Sequence, residues 1–443
     1  MESVLLYVLG ILVVVVGLAL SIGLHEIGHL LPAKLFGVRV GQYMIGFGPT
    51  VWSRRFGETE YGFKAIPMGG YISMAGMYPP AKDGTVSART SSTGFFQTLV
   101  QDARTASAET VVVGQEERVF YRLAVWKRIV IMLGGPTMNL LIGIVLYAVL
   151  LMGFGVAQAS TTVGSVSECI VSQSSSSQEC SPGDAEAPGA AAGILPGDKL
   201  VSLDGTAITS WTQATAIIRD SAGDDLTMVV ERGGKNVTLT SVPLLTERYV
   251  YDENGEVVKE SDGNTVTEKV GFLGIGPASE TVKQPITAVL PAVGDNIGRV
   301  GHMILNLPER LVDVVNAAFG TEERDPNGPI SVVGVGRLAG EISSLDTIPV
   351  VDKVSGLIGL LASLNIALFV FNLVPLMPLD GGHVAGALWE GIRRFFAKLF
   401  GRKDPGPVDI AKLVPLTLVV VVLLGSMSAL LIYADLVKPI SIL

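Results

Sequence analysis

Residues 3–29 read SVLLYVLGILVVVVGLALSIGLHEIGH, an apolar run that ends in two histidines and a glutamate. No charged residue interrupts the run between Ser3 and Leu24, and about 20 such residues form a helix long enough to cross a bilayer. The run has neither the basic start nor the small-residue cleavage site of a signal peptide, so we interpret it as a retained membrane span.

Three further charge-free stretches of similar length lie at 129–157, 354–379 and 413–434. With 16% charged and 49% hydrophobic residues, the chain is too apolar for a soluble domain, in which about 25% of residues are charged. The 32 basic residues against 41 acidic ones also argue against a nucleic-acid-binding protein. We therefore expect a polytopic α-helical membrane protein with four transmembrane helices.

The charges outside the spans predict which side of the membrane each loop occupies. Residues 25–128 contain twelve Lys/Arg and eight Asp/Glu, and the segment 391–412 is basic, whereas residues 158–353 contain 13 Lys/Arg and 27 Asp/Glu. Basic residues near span ends favour the cytoplasmic side. We therefore expect the first loop and the basic link inside the cell, and the acidic segment and both termini outside. The expected location is the plasma or inner membrane.

His25 and His29 are spaced to lie on one face of the first helix. Side chains at positions i and i+4 are neighbours on an α-helix, so both imidazoles can reach one metal ion. A catalytic zinc site takes three protein ligands and keeps one position for water, and Glu26 stands where it can accept a proton from that water. The alternative is a chance HExxH at a helix end. Ionisable side chains in a span are costly, however, and mainly functional.

The third ligand is expected in another span, where Asp380 is the one carboxylate at the end of the charge-free stretch. Pro375 and Pro378 break the helix before it, and the freed backbone groups must face protein or water rather than lipid. A helix-end aspartate at the membrane interface is the alternative. His383 could be a fourth ligand, but four protein ligands describe a closed structural site. We expect His383 to orient the Asp380 loop or to face the interface.

Three motifs carry a resemblance to a known family. HEIGH at 25–29 and NLVPLMPLDGGH at 372–383 resemble the motifs of the site-2 protease family of intramembrane zinc metalloproteases, in its bacterial branch with a PDZ domain. GGPTMN at 134–139 is similar to the family's G-P-x-x-N motif, and GFGP at 46–49 extends the match.

The resemblance implies roles for individual residues of this sequence. It implies a Zn²⁺ ion held by His25, His29 and Asp380, with Glu26 as the catalytic base and acid. It also implies that Asn372 holds substrate or stabilises the oxyanion. A polar group in a span can instead pack against another helix, and this is how we interpret Asn139.

The resemblance further implies a metalloendopeptidase in regulated intramembrane proteolysis and signal transduction. The implied substrates are single-span membrane proteins, such as anti-sigma factors or signal-peptide remnants, that a site-1 protease has already cut outside the membrane. Membrane lipid is an expected partner and nucleic acid is not. Two alternatives are a non-catalytic scaffold that captures partners through its PDZ domain and a zinc transporter with the same three ligands. The intact Glu26 disfavours the scaffold, and the large peptide-binding module disfavours the transporter.

Residues 41–77 are rich in glycine and aromatic residues, with turns predicted at Gly57-Glu58 and Gly69-Gly70. They predict a membrane-associated β-hairpin or small sheet, and the resemblance implies such an element near the site. The edge of the sheet could pair with an unwound substrate, and an ordinary cytoplasmic loop sheet is the alternative. Residues 81–122 are polar and have the character of an insertion, to which we assign no role.

The segment GAAAGILPGDKLVSLDG at 189–205 resembles part of a PDZ domain, with a small-residue helix, a tight turn and a strand. A helix at 212–219 and a hairpin around Gly233-Gly234 are expected to follow. We expect an extracytoplasmic PDZ-like α+β domain that binds an extended peptide or a C-terminus, screens substrates by size, or serves as a spacer. An oxidising exterior favours a disulfide between Cys169 and Cys180 over two free thiols.

The expected layout is a first transmembrane helix with HExxH at 1–30, a membrane-associated β region at 31–80, a cytoplasmic polar insertion at 81–128, a second transmembrane helix at 129–157, a PDZ-like domain at 160–245, an acidic β extension with an amphipathic helix at 246–352, a third transmembrane segment with the LDG motif at 354–383, a cytoplasmic basic link at 391–412 and a fourth transmembrane helix at 413–434.

Overall fold

A computed structural model of the protein describes residues 2–80, 95–170, 180, 184–250, 257–258, 265–321, 324–325 and 328–440. The chain forms two compact units. The first unit joins Met1–Phe154 with Gln284–Leu443, and the second unit is Gly155–Lys283. The first part of the expected polar insertion, residues 81–94, lies outside the described residues.

The helices are α1 (Glu2–Leu35), α2 (Phe95–Glu109), α3 (Val125–Ala148), α4 (Pro188–Ala191), α5 (Trp211–Asp220), α6 (Val289–Leu305), α7 (Leu307–Phe319), α8 (Val332–Ser344), α9 (Val350–Asn372), α10 (Asp380–Leu399) and α11 (Val414–Val437). The strands are β1 (Val40–Phe56), β2 (Thr59–Met74), β3 (Val156–Val166), β4 (Lys199–Leu203), β5 (Thr206–Ala207), β6 (Leu226–Arg232), β7 (Lys235–Ser241), β8 (Leu244–Tyr249), β9 (Thr267–Phe272) and β10 (Ile275–Val282).

Four helical segments in the described chain are long and apolar enough to cross a membrane, which confirms the expected number of apolar spans. They are Ser3–Leu35, Val125–Phe154, Val350–Asn372 and Ile410–Val437. Large apolar side chains on them point away from the protein, as Leu20 and Leu423 show with exposed fractions of 63% and 61%. A bilayer accommodates such faces because a helix satisfies its own backbone hydrogen bonds.

The third span is interrupted where the sequence predicts a break at Pro375 and Pro378. Within the segment expected over 354–383, α9 ends at Asn372 and α10 begins at Asp380. Two prolines in the connection explain the break, since proline lacks the backbone N–H and disfavours helix in the residue before it. α10 then continues to Leu399, so the first part of the expected basic link 391–412 lies within a helix.

The predicted β region is a sheet of two long, bent strands. Residues 40–45 of β1 pair with 70–74 of β2 on one side, and residues 42–45 pair with 60–63 on the other. The strands join at the predicted Gly57-Glu58 turn. The second predicted turn, Gly69-Gly70, was wrong because both residues lie within β2. Gly69 has a φ of +112°, a value open to glycine, and it bends the strand without reversing the chain.

A buried ion pair joins α3 to α10. The Arg128 guanidinium lies 2.5 Å from the Glu390 carboxylate, and the two side chains are 3% and 0% exposed. Glu390 also accepts a hydrogen bond from the backbone N–H of Val408 and pairs with Arg394. Loss of one partner would leave a buried charge uncompensated, which is strongly unfavourable. The pair therefore fixes the position of α10 against α3.

The second unit is built on a six-stranded sheet in the order β10-β3-β4-β6-β7, with β5 beside β4. Its core contains Leu200, Leu203, Leu226 and Met228 together with Ala214 of α5. The expected helix and the expected hairpin are present as α5 and the β6–β7 pair. The unit continues to Lys283 because β10 pairs with β3 and Leu273 is part of the core. The described residues between 246 and 283 thus belong to this unit and do not form a separate extension.

Cys169 and Cys180 are joined by a disulfide, with their Cα atoms 5.8 Å apart. A bridge of this kind is typical of a compartment outside the cytoplasm.

Asp198 is the buried charge on which the second unit depends. Its side chain is 1% exposed, and it accepts hydrogen bonds at 2.7 Å from Nε and Nη2 of Arg232 and at 2.9 Å from the backbone N–H of Leu195. The Arg232 guanidinium holds the pKa of Asp198 below its usual range. A carboxyl with a lowered folded-state pKa contributes stability that is fully present above its unfolded-state pKa of about 3.9 and is lost as the pH falls through the folded-state value.

We expect Asp198→Asn to lower the free energy of unfolding of this unit by about 1.5–3 kcal/mol, because the substitution weakens charge-assisted hydrogen bonds between a buried carboxylate and a partly exposed guanidinium. Hydrogen-exchange mass spectrometry on the full chain should show faster exchange across residues 155–283. Below about pH 4, the free energy of unfolding of the wild type should fall as Asp198 becomes protonated. The variant lacks this carboxylate and should not show that part of the pH dependence. Glu247→Gln is the matched control, since its pair with Lys269 is more than half exposed at both partners and should contribute little. Equal exchange in the wild type and Asp198→Asn would contradict the prediction.

Candidate metal centre

Three donor atoms from distant parts of the sequence converge between α1 and α10. Nε2 of His25 and Nε2 of His29 lie 3.2 Å apart, and they lie 3.4 and 3.3 Å from Oδ2 of Asp380. The side chains are 13%, 6% and 18% exposed. In the described part of the chain, these residues form the group of histidine, cysteine and carboxylate side chains that could hold a metal ion.

The partners of the other ring nitrogens decide where the imidazole hydrogens lie. Nδ1 of His29 lies 2.7 Å from the carbonyl oxygen of Ile131, and Nδ1 of His25 lies 3.2 Å from Oδ1 of Asn139. Both oxygens only accept, so each Nδ1 carries the hydrogen and donates it. In the neutral imidazole each Nε2 is then an unprotonated lone pair, and both lone pairs face the Asp380 carboxylate.

This arrangement suits a metal cation. Two lone pairs and one carboxylate oxygen lie within 3.4 Å of one another with no hydrogen between them, and Oδ2 of Asp380 is buried without a conventional hydrogen-bond donor. Ligands about 2.0–2.1 Å from a tetrahedral zinc ion are separated by about 3.3–3.4 Å, which is the spacing of these atoms. The donor set therefore fits zinc with three protein ligands, as in catalytic sites.

Glycine lets α1 and α3 approach closely enough to form the site. A Cβ on Gly28 would lie 2.3 Å from the carbonyl oxygen of Gly134, and one on Gly134 would lie 2.0 Å from the carbonyl oxygen of Gly28. A Cβ on Gly135 would lie 2.2 Å from Nε2 of His29. Small residues permit this backbone contact between membrane helices. They bring the Ile131 carbonyl and the Asn139 amide within reach of the two imidazoles.

Asn139 is a residue whose role the sequence did not reveal. We interpreted it as a packing residue of α3, but its amide oxygen holds Nδ1 of His25. Partners of this kind set the tautomer and orientation of metal-binding histidines. The signal available in the sequence was its spacing, since Asn139 follows Gly135 by one helical turn and so lies on the same face of α3.

Asp380 is held by the turn that precedes it. Residues 373–379 are not helical, and Asp380 is the first residue of α10. Gly381 and Gly382 pack this turn tightly, because a Cβ on Gly381 would lie 2.4 Å from the carbonyl oxygen of Leu373 and one on Gly382 would lie 2.7 Å from the backbone nitrogen of Met377. The Arg128–Glu390 pair holds the same helix farther along the chain.

Glu26 and the β sheet meet beside the donor set. Glu26 follows His25 on α1 and is 8% exposed. A Cβ on Gly70 of β2 would lie 2.9 Å from Cγ of Glu26, so the sheet passes directly over this carboxylate. Tyr43 anchors the sheet to α1 by donating its hydroxyl hydrogen to the carbonyl oxygen of Gly23 at 2.7 Å.

Two polar residues near the LDG motif are not among the converging donor atoms. Asn372 is the last residue of α9, and the described residues include no hydrogen bond from it to either histidine or to Asp380. His383 lies in the first turn of α10, where its Nδ1 is buried without a hydrogen-bond partner. It is not part of the group of converging donor atoms.

Comparison with known proteins agrees with this geometry. The sequence profile of Peptidase family M50 matches residues 13–403. The chain is 33% identical to the zinc metalloprotease Rip1 of Mycobacterium tuberculosis over 98% of this chain and 99% of that protein. It is 31% identical to the protein of the same name in Mycolicibacterium smegmatis, over 99% and 100%. It is 27% identical to the metalloprotease MmpA of Caulobacter vibrioides, over 85% of both chains. The chain therefore belongs to peptidase family M50, the site-2 proteases, and is a metalloendopeptidase.

Proposed function

We propose that the protein is a zinc-dependent intramembrane endopeptidase that cleaves single-span membrane proteins. The observation that carries this proposal is the convergence of two imidazole lone pairs and one buried carboxylate beside Glu26, at the end of a membrane-spanning helix. His25, His29 and Asp380 would hold the ion. The mycobacterial relatives are named zinc metalloproteases, which supports zinc over other divalent ions.

When bound, zinc lowers the pKa of a coordinated water and polarises the scissile carbonyl. The protein supplies the remaining groups. The Glu26 carboxylate accepts the proton of the attacking water and returns it to the leaving amine. Ile131 and Asn139 keep hydrogen on the two Nδ1 atoms, so that both Nε2 atoms stay free to coordinate. We further propose that Asn372 holds the substrate or stabilises the oxyanion.

The β sheet offers a way to present the peptide. A transmembrane helix pairs all of its own carbonyls, so a substrate must unwind before it is cut. Residues 70–74 pair with 40–45 on one side and form an edge of the sheet among the described strands, and Gly70 lies against Glu26. We propose that the unwound substrate adds to this edge as a strand, which would lay its backbone beside the catalytic carboxylate.

The second unit supports a role outside the cytoplasm. Its Cys169–Cys180 disulfide is expected in an oxidising compartment, and the charge distribution of the loops gives the same side. We propose that this unit is a PDZ-like domain that binds peptide or filters substrates by size. The substrates would be proteins such as anti-sigma factors or signal-peptide remnants, already trimmed by a site-1 protease.

The first test removes the catalytic carboxylate alone. We expect Glu26→Gln to lower the rate of cleavage of a tagged single-span substrate by about 10²–10⁴-fold, while the zinc content of the purified protein stays near one ion per chain because the three donors are intact. Glu280→Gln, an exposed residue of β10, is the matched control and should cleave at the wild-type rate. Undiminished cleavage by Glu26→Gln would refute the peptidase mechanism. Zinc lost together with activity would assign Glu26 to the metal site and contradict its role as base.

The second test concerns the helix crossing. We expect Gly135→Ala to lower zinc affinity at least about tenfold, because the new methyl group would lie 2.2 Å from Nε2 of His29. Zinc titration of the metal-free protein gives the affinity, and peptidase activity should fall in parallel. Gly153→Ala is the control, since a Cβ at Gly153 meets no atom within 4 Å. Unchanged zinc affinity in Gly135→Ala would show that the close approach of α1 and α3 is not needed.

A further inference from the structure

α10 has an apolar face that the protein does not cover. Along its second half, large side chains recur at helical spacing and are exposed, among them Phe395 at 65%, Leu399 at 63% and Phe400, which follows the helix, at 67%. Leu388, Trp389 and Ile392 extend the face toward the start of the helix and are 51%, 56% and 47% exposed. α10 is not one of the candidate membrane spans. An exposed apolar face of this kind marks a surface at which a membrane or another molecule binds.

A cleft opens on the same face. It has a volume of about 280 Å³ and is lined by Val125, Leu388, Gly391, Ile392, Phe395 and Phe396. Val125 belongs to the first turn of α3 and the other residues to α10. Its lining is almost entirely apolar, which suits a hydrocarbon chain.

Cations surround the apolar face. Arg393, Lys398, Arg402 and Lys403 form no ion pair with the described residues, whereas Arg394 pairs with Glu390 and Asp404. Glu390 is itself buried against Arg128. The surface from residue 393 to 403 therefore presents several unpaired positive charges beside phenylalanine and leucine side chains, a combination typical of helices that lie on anionic membranes.

The position of α10 in the chain places it at the membrane surface. It connects the end of the span Val350–Asn372 to the start of the span Ile410–Val437. Since α9 ends at one face of the membrane and the following span begins at that same face, α10 connects two points at one membrane–water interface. Its apolar face is thus within reach of the headgroup and acyl boundary, where amphipathic helices bury their apolar side.

We propose that this face of α10 binds anionic phospholipid. Phe395, Phe396 and Leu399 enter the acyl boundary, an acyl chain occupies the cleft beside Val125, and the surrounding cations contact the lipid phosphates. The same helix begins with Asp380, so the bound lipid holds the element that carries one of the three converging donors. This inference concerns lipid recognition and does not depend on the peptidase chemistry.

Trp389 provides a direct probe, since it lies on the exposed face. The full-length protein is reconstituted in vesicles that contain equal amounts of phosphatidylcholine and phosphatidylglycerol. In one preparation the acyl chains of phosphatidylcholine carry bromine, and in the other those of phosphatidylglycerol do. The fluorescence of Trp389 is obtained as the difference between the wild type and Trp389→Phe. We expect brominated phosphatidylglycerol to quench this fluorescence at least about twofold more than brominated phosphatidylcholine, because each basic residue near an anionic surface adds attraction.

Two variants separate the cations of α10 from overall charge. The triple variant Lys398→Gln, Arg402→Gln, Lys403→Gln should bring the quenching ratio to about one. The matched variant Lys199→Gln, Lys235→Gln, Lys269→Gln removes three exposed cations from the second unit and should keep the wild-type ratio. Equal quenching by both lipids in the wild type would overturn the proposal. Absence of quenching by either lipid would show that a protein or water covers the face, and would overturn it too. Neither readout requires cleavage, so the result is independent of the proposed function.

Discussion

The mutual repulsion of two imidazole lone pairs and a carboxylate, held within 3.4 Å of one another, is the constraint on which the rest of the structure depends. In the neutral imidazoles no proton separates the three atoms, because the hydrogens are donated to Ile131 and Asn139 on the opposite side of each ring. A cation bound between the three atoms would relieve this repulsion. The helix crossing at Gly28 and Gly134, the broken segment before Asp380 and the Arg128–Glu390 pair all serve to hold it together.

The membrane sets the form of the elements around this cluster. In hydrocarbon, irregular backbone is tolerated only where it is buried in protein or lines a wet cavity, and the non-helical residues 373–379 occur where the donor atoms meet. The β sheet is likewise tied to α1 by Tyr43 and passes over Glu26. The three donor atoms can therefore meet at the end of a span, because the surrounding helices satisfy their own backbone groups.

Several features could be predicted and others could not. The four apolar helices followed from charge-free runs, and the pair of histidines from its i, i+4 spacing, because both are properties of one local segment. The Gly69-Gly70 turn was wrong because glycine permits a bend as readily as a reversal, and the choice depends on pairing with β1. The helix that carries the first part of the basic link was not predicted, because the apolar residues between its charges, which make α10 amphipathic, were not considered.

The sequence by itself determined the membrane environment, the candidate donors and the family, since these depend on composition and on short motifs. Only the tertiary structure decided that Asp380 reaches the two histidines across more than 350 residues, and that Asn139 and the Ile131 carbonyl orient them. It also decided which face of α10 remains uncovered. The physical reason is the same in each case. Which atoms meet depends on how helices pack, and packing at a crossing such as Gly28 against Gly134 is a property of two segments together.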